Sequence, residues 1–226
     1  MKIILVKKVE YMSYLLPAVA FVLIFFLFNP LFLRENGKRN RAVLWKTAAT
    51  LTAAMLAGAS FFGVQDTFCL PIFLGVAISA VSDAVIHFFL GAGAVAFMAA
   101  HGCFIAAFLL RAPVSLPFTL ALFVLAAGGA LLLFRPHFDK IGKMLPLCLL
   151  YVAVLSAMFA LGFPLAFTAG TSALPITAGA LLFYVSDLLV AKNVFLSSSK
   201  RSEAAAMTTY YAAEFLFALS AYLAAF

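Results

Sequence analysis

Apolar residues fill most of this chain in long runs, and polar residues fall between the runs or at isolated positions inside them. A run of about 20 residues, rising about 1.5 Å per residue as a helix, is long enough to cross the hydrocarbon core of a bilayer. Charged residues, glycines and prolines bound the runs. The pattern predicts eight helices over these ranges: Met12 to Leu33, Val43 to Gly63, Phe68 to Phe89, Gly91 to Leu110, Leu116 to Phe134, Met144 to Phe163, Thr171 to Lys192 and Ala204 to Phe226.

The composition indicates a chain that lies almost entirely in the membrane. Hydrophobic residues make up 66% of the chain and charged residues 10%, whereas a soluble domain has about 25% charged residues. The loops between the runs are too short to form a separate soluble domain. We therefore predict an all-α polytopic membrane helix bundle of about eight transmembrane helices, with residues 1–226 forming one domain.

Basic residues are concentrated in alternate loops. With eight spans, the loops after the first, fifth and seventh spans hold 11 Lys and Arg residues, Lys46 included, against four on the other side. The positive-inside rule places these loops in the cytoplasm and both termini outside, in the cell's inner membrane. Lys2, Lys7 and Lys8 locally favour the reverse orientation. Because the net charge of +7 is explained by topology and lipid headgroups, we expect no nucleic-acid partner.

The cysteines give no sign of a metal site or a disulfide. Cys69, Cys103 and Cys148 are an odd number, lie far apart and lack the spacing of metal ligands. Such residues usually act as small apolar side chains in a core. We predict no metal and no organic cofactor.

An internal repeat relates the third and seventh spans. The segment 70–83, LPIFLGVAISAVSD, recurs 104 positions later as LPITAGALLFYVSD, with seven of fourteen positions identical. An even number of crossings separates the two spans, so they run in the same direction. This arrangement is a parallel repeat about an axis along the membrane normal, and functional sites often lie at such a repeat interface.

The repeat places Asp83 and Asp187 at matching depth, several residues inside the helix ends that adjoin the basic loops. An aspartate near the bilayer centre costs about 2.5–3.5 kcal/mol, so it normally faces the bundle interior and has a function. We predict that these two residues have a functional role in the bundle interior.

Other polar side chains fall on the third, fourth, seventh and eighth spans, while the remaining spans are predicted to be scaffold. Tyr184 precedes Asp187 by three residues, and Tyr210 precedes Glu214 by four, so each pair shares a helix face. Glycines such as Gly75, Gly93 and Gly128 are expected to allow close helix packing. The candidates for substrate binding or for orienting the aspartates are Ser82, His101, Tyr184, Ser186, Tyr210 and Glu214.

Two stretches resemble the signatures of the YhhN-type lysoplasmalogenase family. Residues 75–110, GVAISAVSDAVIHFFLGAGAVAFMAAHGCFIAAFLL, are similar to the first signature, and residues 179–195, GALLFYVSDLLVAKNVF, to the second. Residues 208–220, TTYYAAEFLFALS, resemble the C-terminal part of that family. The first two spans are similar to the family in hydropathy only.

The resemblance implies a membrane hydrolase that cleaves the vinyl ether bond of lysoplasmalogens to a fatty aldehyde and a glycerophospho-base. It implies that Asp83 and Asp187 carry the chemistry without a cofactor. Vinyl ether hydrolysis needs an acid to protonate the alkene carbon, and burial in an apolar bundle favours the protonated form of a carboxyl. A second, ionised carboxyl then stabilises the cation. The expected partners are a lysophospholipid and the bilayer, with Lys192 or the neighbouring arginines near the phosphate; no protein partner is predicted.

Two alternatives remain open at this point. Intramembrane aspartates at a repeat interface equally suit a small proton-coupled transporter or a lipid-binding membrane protein. Against the transporter, neither aspartate span carries an obvious mid-helix break. A metal-dependent hydrolase would use Asp83, Asp187 and His101, but no histidine-rich motif supplies a further strong ligand.

Overall fold

The computed structural model describes residues 14–35 and 39–226, and nearly all of these residues are helical, with no strand among them. The all-α class is therefore confirmed. Lys2, Lys7, Lys8 and Lys38, and the start of the first predicted span at Met12, lie outside the described residues. The long helices are α1 (Tyr14–Glu35), α2 (Arg39–Val64), α3 (Cys69–Phe88), α4 (Leu90–Arg111), α5 (Leu116–Phe134), α6 (Leu145–Gly162), α7 (Leu174–Phe195) and α8 (Lys200–Ala225).

Six helical stretches of the described residues are long and apolar enough to cross a membrane. One of them, Leu116–Thr168, contains both α5 and α6, and α8 is not among the six. Three tyrosines, Glu214 and the charged first turn make α8 less apolar than the other helices. The chain is thus a multi-pass helical membrane protein by length and composition, while the count of eight crossings stays a prediction.

Prolines and extended residues determine where the helices begin and end. A proline lies in the first turn of α5, α6 and α7, where its missing N–H group leaves no hydrogen bond unmade. Phe89 has extended backbone angles, φ −136° and ψ 90°, and separates α3 from α4. The Ser199 hydroxyl caps α8 by accepting a hydrogen bond from the Ser202 N–H at 3.2 Å. Tight turns of this kind keep consecutive helices adjacent.

Six helices form the centre of the bundle, and α1 and α5 lie at its periphery. α3 packs extensively against α2 and α4, and α7 packs extensively against α8. α8 also packs against α2, and α4 packs against α6. By contrast, α6 and α7 contact each other far less than α2 and α3 do. This difference leaves room beside α7 for the cavity described below.

Two of the glycines predicted to allow close packing do so. A Cβ atom at Gly93 would lie 2.3 Å from the Cα atom of Ile86, and one at Gly75 would lie 2.4 Å from the ring of Phe104. The prediction is wrong for Gly128, because no atom lies within 4 Å of a Cβ atom built there. Close contact is therefore confined to the α3–α4 interface among these three positions.

Gly93→Ala should destabilise the protein, because the added methyl group meets the backbone of α3, which cannot rotate away as a side chain can. Overpacking of this kind costs about 1–3 kcal/mol. Thermal unfolding of the purified protein in detergent measures the loss. Gly102→Ala, in the same helix, adds its methyl group where nothing lies within 4 Å and should melt with the wild type. Equal melting temperatures for the two variants would contradict the packing argument.

Candidate active site

An apolar cavity lies among helices α2 to α8, and we call the part of its wall that the polar side chains form the polar end. Its volume is about 130 Å³, and the turns that join α5 to α6 also contribute to its wall. A long apolar group can contact most of this wall, while a polar group must lie at the polar end. The polar side chains that line the cavity are Lys46, Tyr151, Ser186, Asp187 and Tyr210.

Asp187 is the carboxyl that lines this cavity. Its side chain is 12% exposed, and its Oδ2 atom accepts a hydrogen bond of 2.7 Å from the Tyr151 hydroxyl. The Nε2 atom of His101 lies 3.4 Å from the same oxygen and 3.3 Å from the Tyr151 hydroxyl. The His101 ring is fully buried and packs edge-on against Phe183, at 4.8 Å between ring centroids. The Oδ1 atom of Asp187 accepts no hydrogen bond from the described residues.

Asp83 has a different environment, because it is fully buried and does not line the cavity. Its Oδ1 atom lies 3.0 Å from the Nζ atom of Lys46. Its Oδ2 atom accepts hydrogen bonds from the Thr50 hydroxyl at 2.6 Å and from the Tyr210 hydroxyl at 2.8 Å. Asp83 therefore holds in place two side chains, Lys46 and Tyr210, that themselves line the cavity.

The partners of the two aspartates follow a crossed pattern. Asp83, in α3, is held by α2 and α8, while Asp187, in α7, is held by α6 and α4. Each aspartate is thus bonded to the helix that precedes its own helix in the chain. Its second partner is the helix that follows the helix of the other aspartate. No hydrogen bond joins the two carboxyls within the described chain, so they do not form a directly bonded pair.

Three of the predicted orienting residues contact backbone instead of an aspartate. The Ser82 hydroxyl donates to the carbonyl of Ile78, one turn back in α3, at 2.7 Å. Ser186 donates to the carbonyl of Ala206 in α8 at 2.9 Å, and this bond links the two helices. The Tyr184 hydroxyl donates to the carbonyl of Ala126 in α5 at 2.7 Å. Tyr184 therefore points away from the cavity, although it lies three residues from Asp187.

Glu214 lies in the core beside the site, but it does not contact either aspartate. It is 1% exposed, and neither carboxyl oxygen accepts a hydrogen bond of normal geometry from the described residues. Ser79 and Tyr210 are its polar neighbours. Of the predicted residues, His101 and Tyr210 contact the aspartates, and Glu214 is a separate buried acid.

Sequence reasoning missed Lys46, Thr50 and Tyr151, because α2 and α6 were predicted to be scaffold. Lys46 was assigned to a basic loop, but it lies in α2 one turn before Thr50, and both face Asp83. A lysine and a threonine four residues apart, in a run composed otherwise of apolar residues and two further threonines, were the available signal. Lys192, expected near a phosphate, instead donates to the carbonyl of Ser197 at 3.0 Å and closes the α7–α8 turn.

The metal-dependent alternative finds no support in the arrangement of side chains. No three His, Cys, Asp or Glu residues of the described chain lie close enough together to hold a metal ion. Of the set that this alternative requires, His101 lies near Asp187, whereas Asp83 is held by Lys46, Thr50 and Tyr210.

The family model of the YhhN family matches residues 41–221, which is most of the chain. The match begins near the start of α2 and includes every side chain that contacts Asp83 or Asp187. The similarity therefore extends over α2, where the sequence had indicated likeness in hydropathy only. No solved structure matches the chain.

Proposed function

Because this chain belongs to the YhhN family, we propose that it is a membrane hydrolase that cleaves the vinyl ether bond of lysoplasmalogens. The products are a fatty aldehyde and a glycerophospho-base. The observation that carries the proposal is the position of Asp187, a carboxyl at the polar end of an otherwise apolar cavity. A single-tailed lipid matches a cavity with an apolar wall and a polar end, because its chain can lie against the apolar wall and its vinyl ether beside the carboxyl.

Asp187 acts as the acid in this proposal. In its protonated form it donates a proton to the alkene carbon farther from the ether oxygen, and the nearer carbon becomes part of an oxocarbenium cation. A water molecule adds to that cation and returns a proton to the carboxylate. The resulting hemiacetal breaks into the aldehyde and the glycerol hydroxyl, so one water is consumed and the acid is restored.

Tyr151 and His101 support this role through the oxygen that faces away from the ligand. The Tyr151 hydroxyl donates to Oδ2 of Asp187 at 2.7 Å. A hydrogen bond to an ionised acceptor is stronger than one to a neutral acceptor, so it stabilises the carboxylate formed by proton transfer. His101 packs beside both groups and limits the rotation of the carboxyl.

Asp83 has a positioning role in this proposal. Its carboxylate fixes Lys46 and Tyr210, and both of these line the polar end of the cavity. The two predicted catalytic aspartates would then act differently, Asp187 on the reacting bond and Asp83 through the residues it holds.

We propose that α1–α4 and α5–α8 are two copies of one four-helix unit, giving eight crossings. The crossed partners of the two aspartates support this symmetry. So do the glycines at repeat positions 75 and 179, which pack against Phe104 and Phe217 of the following helices. An inner membrane location with the basic loops in the cytoplasm completes the proposal.

Aldehyde release by the purified protein tests the proposed function. The substrate is a 1-O-alkenyl lysophospholipid in D₂O, and the comparison is the 1-O-alkyl analogue, which lacks the double bond. We expect aldehyde from the alkenyl lipid alone, with one deuterium on the carbon next to the carbonyl, because that carbon takes its proton from the acid. Folded protein that releases no aldehyde would refute the hydrolase and favour the transporter or lipid-binding alternative.

Tyr151→Phe should lower kcat by about 10-fold, because one hydrogen bond to a charged group contributes about 1.5–3 kcal/mol and His101 still contacts the same oxygen. Steady-state kinetics of aldehyde release measure the change. Tyr184→Phe is the matched control. It removes a tyrosine hydroxyl whose hydrogen bond is also 2.7 Å long but which lies away from the cavity. A loss of kcat in Tyr184→Phe as large as that in Tyr151→Phe would contradict the assignment.

A further inference from the structure

We infer that Lys46 is the anion contact through which the cavity selects a lipid that carries a phosphate. The inference rests on the proposed function, because it assigns the headgroup end of the same site. It replaces Lys192 and the loop arginines, which the sequence indicated for this role.

Lys46 is the single cationic side chain that lines the cavity within the described part of the chain. Lys192 is engaged in the α7–α8 turn through the carbonyl of Ser197 and the hydroxyl of Ser202. The basic residues of the α5–α6 turns, Arg135, Lys140 and Lys143, are exposed and do not contribute to the cavity wall. Among the described residues, Lys46 is therefore the cation that an anion inside the cavity can contact.

The side chain of Lys46 is fixed so that its ammonium group stays at the cavity. Asp83 holds the Nζ atom at 3.0 Å, and that atom lies 5.5 Å from the ring centre of Tyr210 and 5.9 Å from that of Phe97. Both rings belong to residues that line the cavity. Contacts between a cation and aromatic faces add to the attraction that orients the group. The side chain is 16% exposed, so part of it is accessible to a ligand.

An ammonium group has three N–H donors, and Asp83 occupies one side of it. The remaining donors are available for a phosphate oxygen. The ion pair with Asp83 keeps a charge inside an apolar bundle, where an isolated lysine would be costly. A lysine held between a fixed carboxylate and an incoming phosphate acts as a compact point charge that binds both.

The chemistry of the ligand follows from two ionisable groups at the polar end. Lys46 and Asp187 line the same cavity from different helices, one a cation and the other the acid. A lysophospholipid with a vinyl ether carries a phosphodiester one glycerol unit away from the reacting bond. The site thus suits a single-chain lipid with one negative phosphate next to its ether, and it disfavours a neutral glycerol ether.

Binding measured without turnover tests this inference independently of catalysis. The probes are 1-O-alkyl-glycerophosphocholine, which has no vinyl ether bond to cleave, and 1-O-alkyl-glycerol, which lacks the phosphate. We expect wild-type protein to bind the phosphate lipid more tightly, and Lys46→Gln to reduce that preference by about 10- to 100-fold. The ratio of two affinities in one preparation does not depend on the folded fraction. Lys140→Gln, an exposed lysine outside the cavity, should keep the wild-type ratio.

Turnover of the matching alkenyl lipids separates the two proposals. A Lys46→Gln variant that releases aldehyde with an unchanged preference for the phosphate lipid would overturn the inference and leave the hydrolase standing. Wild-type protein that releases no aldehyde, while its binding preference depends on Lys46, would refute the hydrolase and keep the anion site. An equal preference in wild type and Lys46→Gln in the binding assay overturns the inference in either case.

Discussion

Asp187→Asn is expected to abolish aldehyde release while the protein stays folded. The amide cannot donate a proton as an acid does, and a positioned general acid contributes about 100- to 10,000-fold to a rate. Asparagine keeps an oxygen that can accept the hydrogen bond from Tyr151. Asp187 has no lysine or arginine partner in the described chain, so its replacement leaves no lysine or arginine unpaired. The rate on the alkenyl lysophospholipid and the melting temperature in detergent measure the two effects.

Asp139→Asn is the matched control for this variant. Asp139 is exposed in the short helical segment Phe138–Ile141 between α5 and α6 and does not line the cavity. Its replacement by asparagine removes the same charge as Asp187→Asn does. Its rate and melting temperature should equal those of the wild type. If Asp187→Asn keeps its activity, or if it loses activity only because it unfolds, Asp187 is not the acid of the reaction.

The helices themselves could be predicted closely from the sequence. The third and fourth spans were expected at Phe68 to Phe89 and Gly91 to Leu110, and α3 and α4 occupy Cys69–Phe88 and Leu90–Arg111. The reason is physical, because a continuous apolar run must satisfy its backbone hydrogen bonds internally within a membrane and therefore stays helical until a polar or turn residue intervenes. α8 is not among the six candidate spans, and several of its polar side chains, including Tyr210, Glu214 and Ser220, are buried in the core.

The contacts between helices could not be predicted in the same way. Tyr184 and Tyr151 have the same chemistry, but only Tyr151 reaches Asp187. Residues three apart share a helix face, yet that face is broad and the neighbouring helices decide which part of it meets the cavity. Lys46 was missed for a related reason, since the lysine assigned to a loop lies in α2, where it is half-buried and paired with Asp83.

A difference in helix packing explains why Asp83 and Asp187, at matching positions of the similar segments 70–83 and 174–187, have different surroundings. α2 and α3 pack closely, and Lys46 and Thr50 fill the space at Asp83. α6 and α7 are spread apart, and the cavity reaches Asp187 between them. Asp83 is thus sealed and paired, while Asp187 lines the cavity. In the mechanism that we propose, the same sequence motif therefore supplies one positioning aspartate and one reacting aspartate.

Asp83→Asn should impair both stability and activity, in contrast to Asp187→Asn. Breaking a buried ion pair by removing one partner costs about 3–5 kcal/mol, because the other charge is left buried and unpaired. Here the unpaired group is the Lys46 ammonium, and Tyr210 and Thr50 lose the charge of their acceptor as well. Denaturant unfolding in detergent measures the free energy of unfolding, and the aldehyde assay measures the rate.

The double variant Lys46→Met with Asp83→Asn shows whether that loss comes from the orphaned charge. Methionine fits an apolar gap of similar length and carries no charge, so the double variant should regain most of the stability that Asp83→Asn loses. Its activity toward the phosphate lipid should stay low, because neither the cation nor the carboxylate that held it is present. A double variant as unstable as Asp83→Asn alone would mean that Thr50 and Tyr210, and not Lys46, are the contacts through which Asp83 stabilises the bundle.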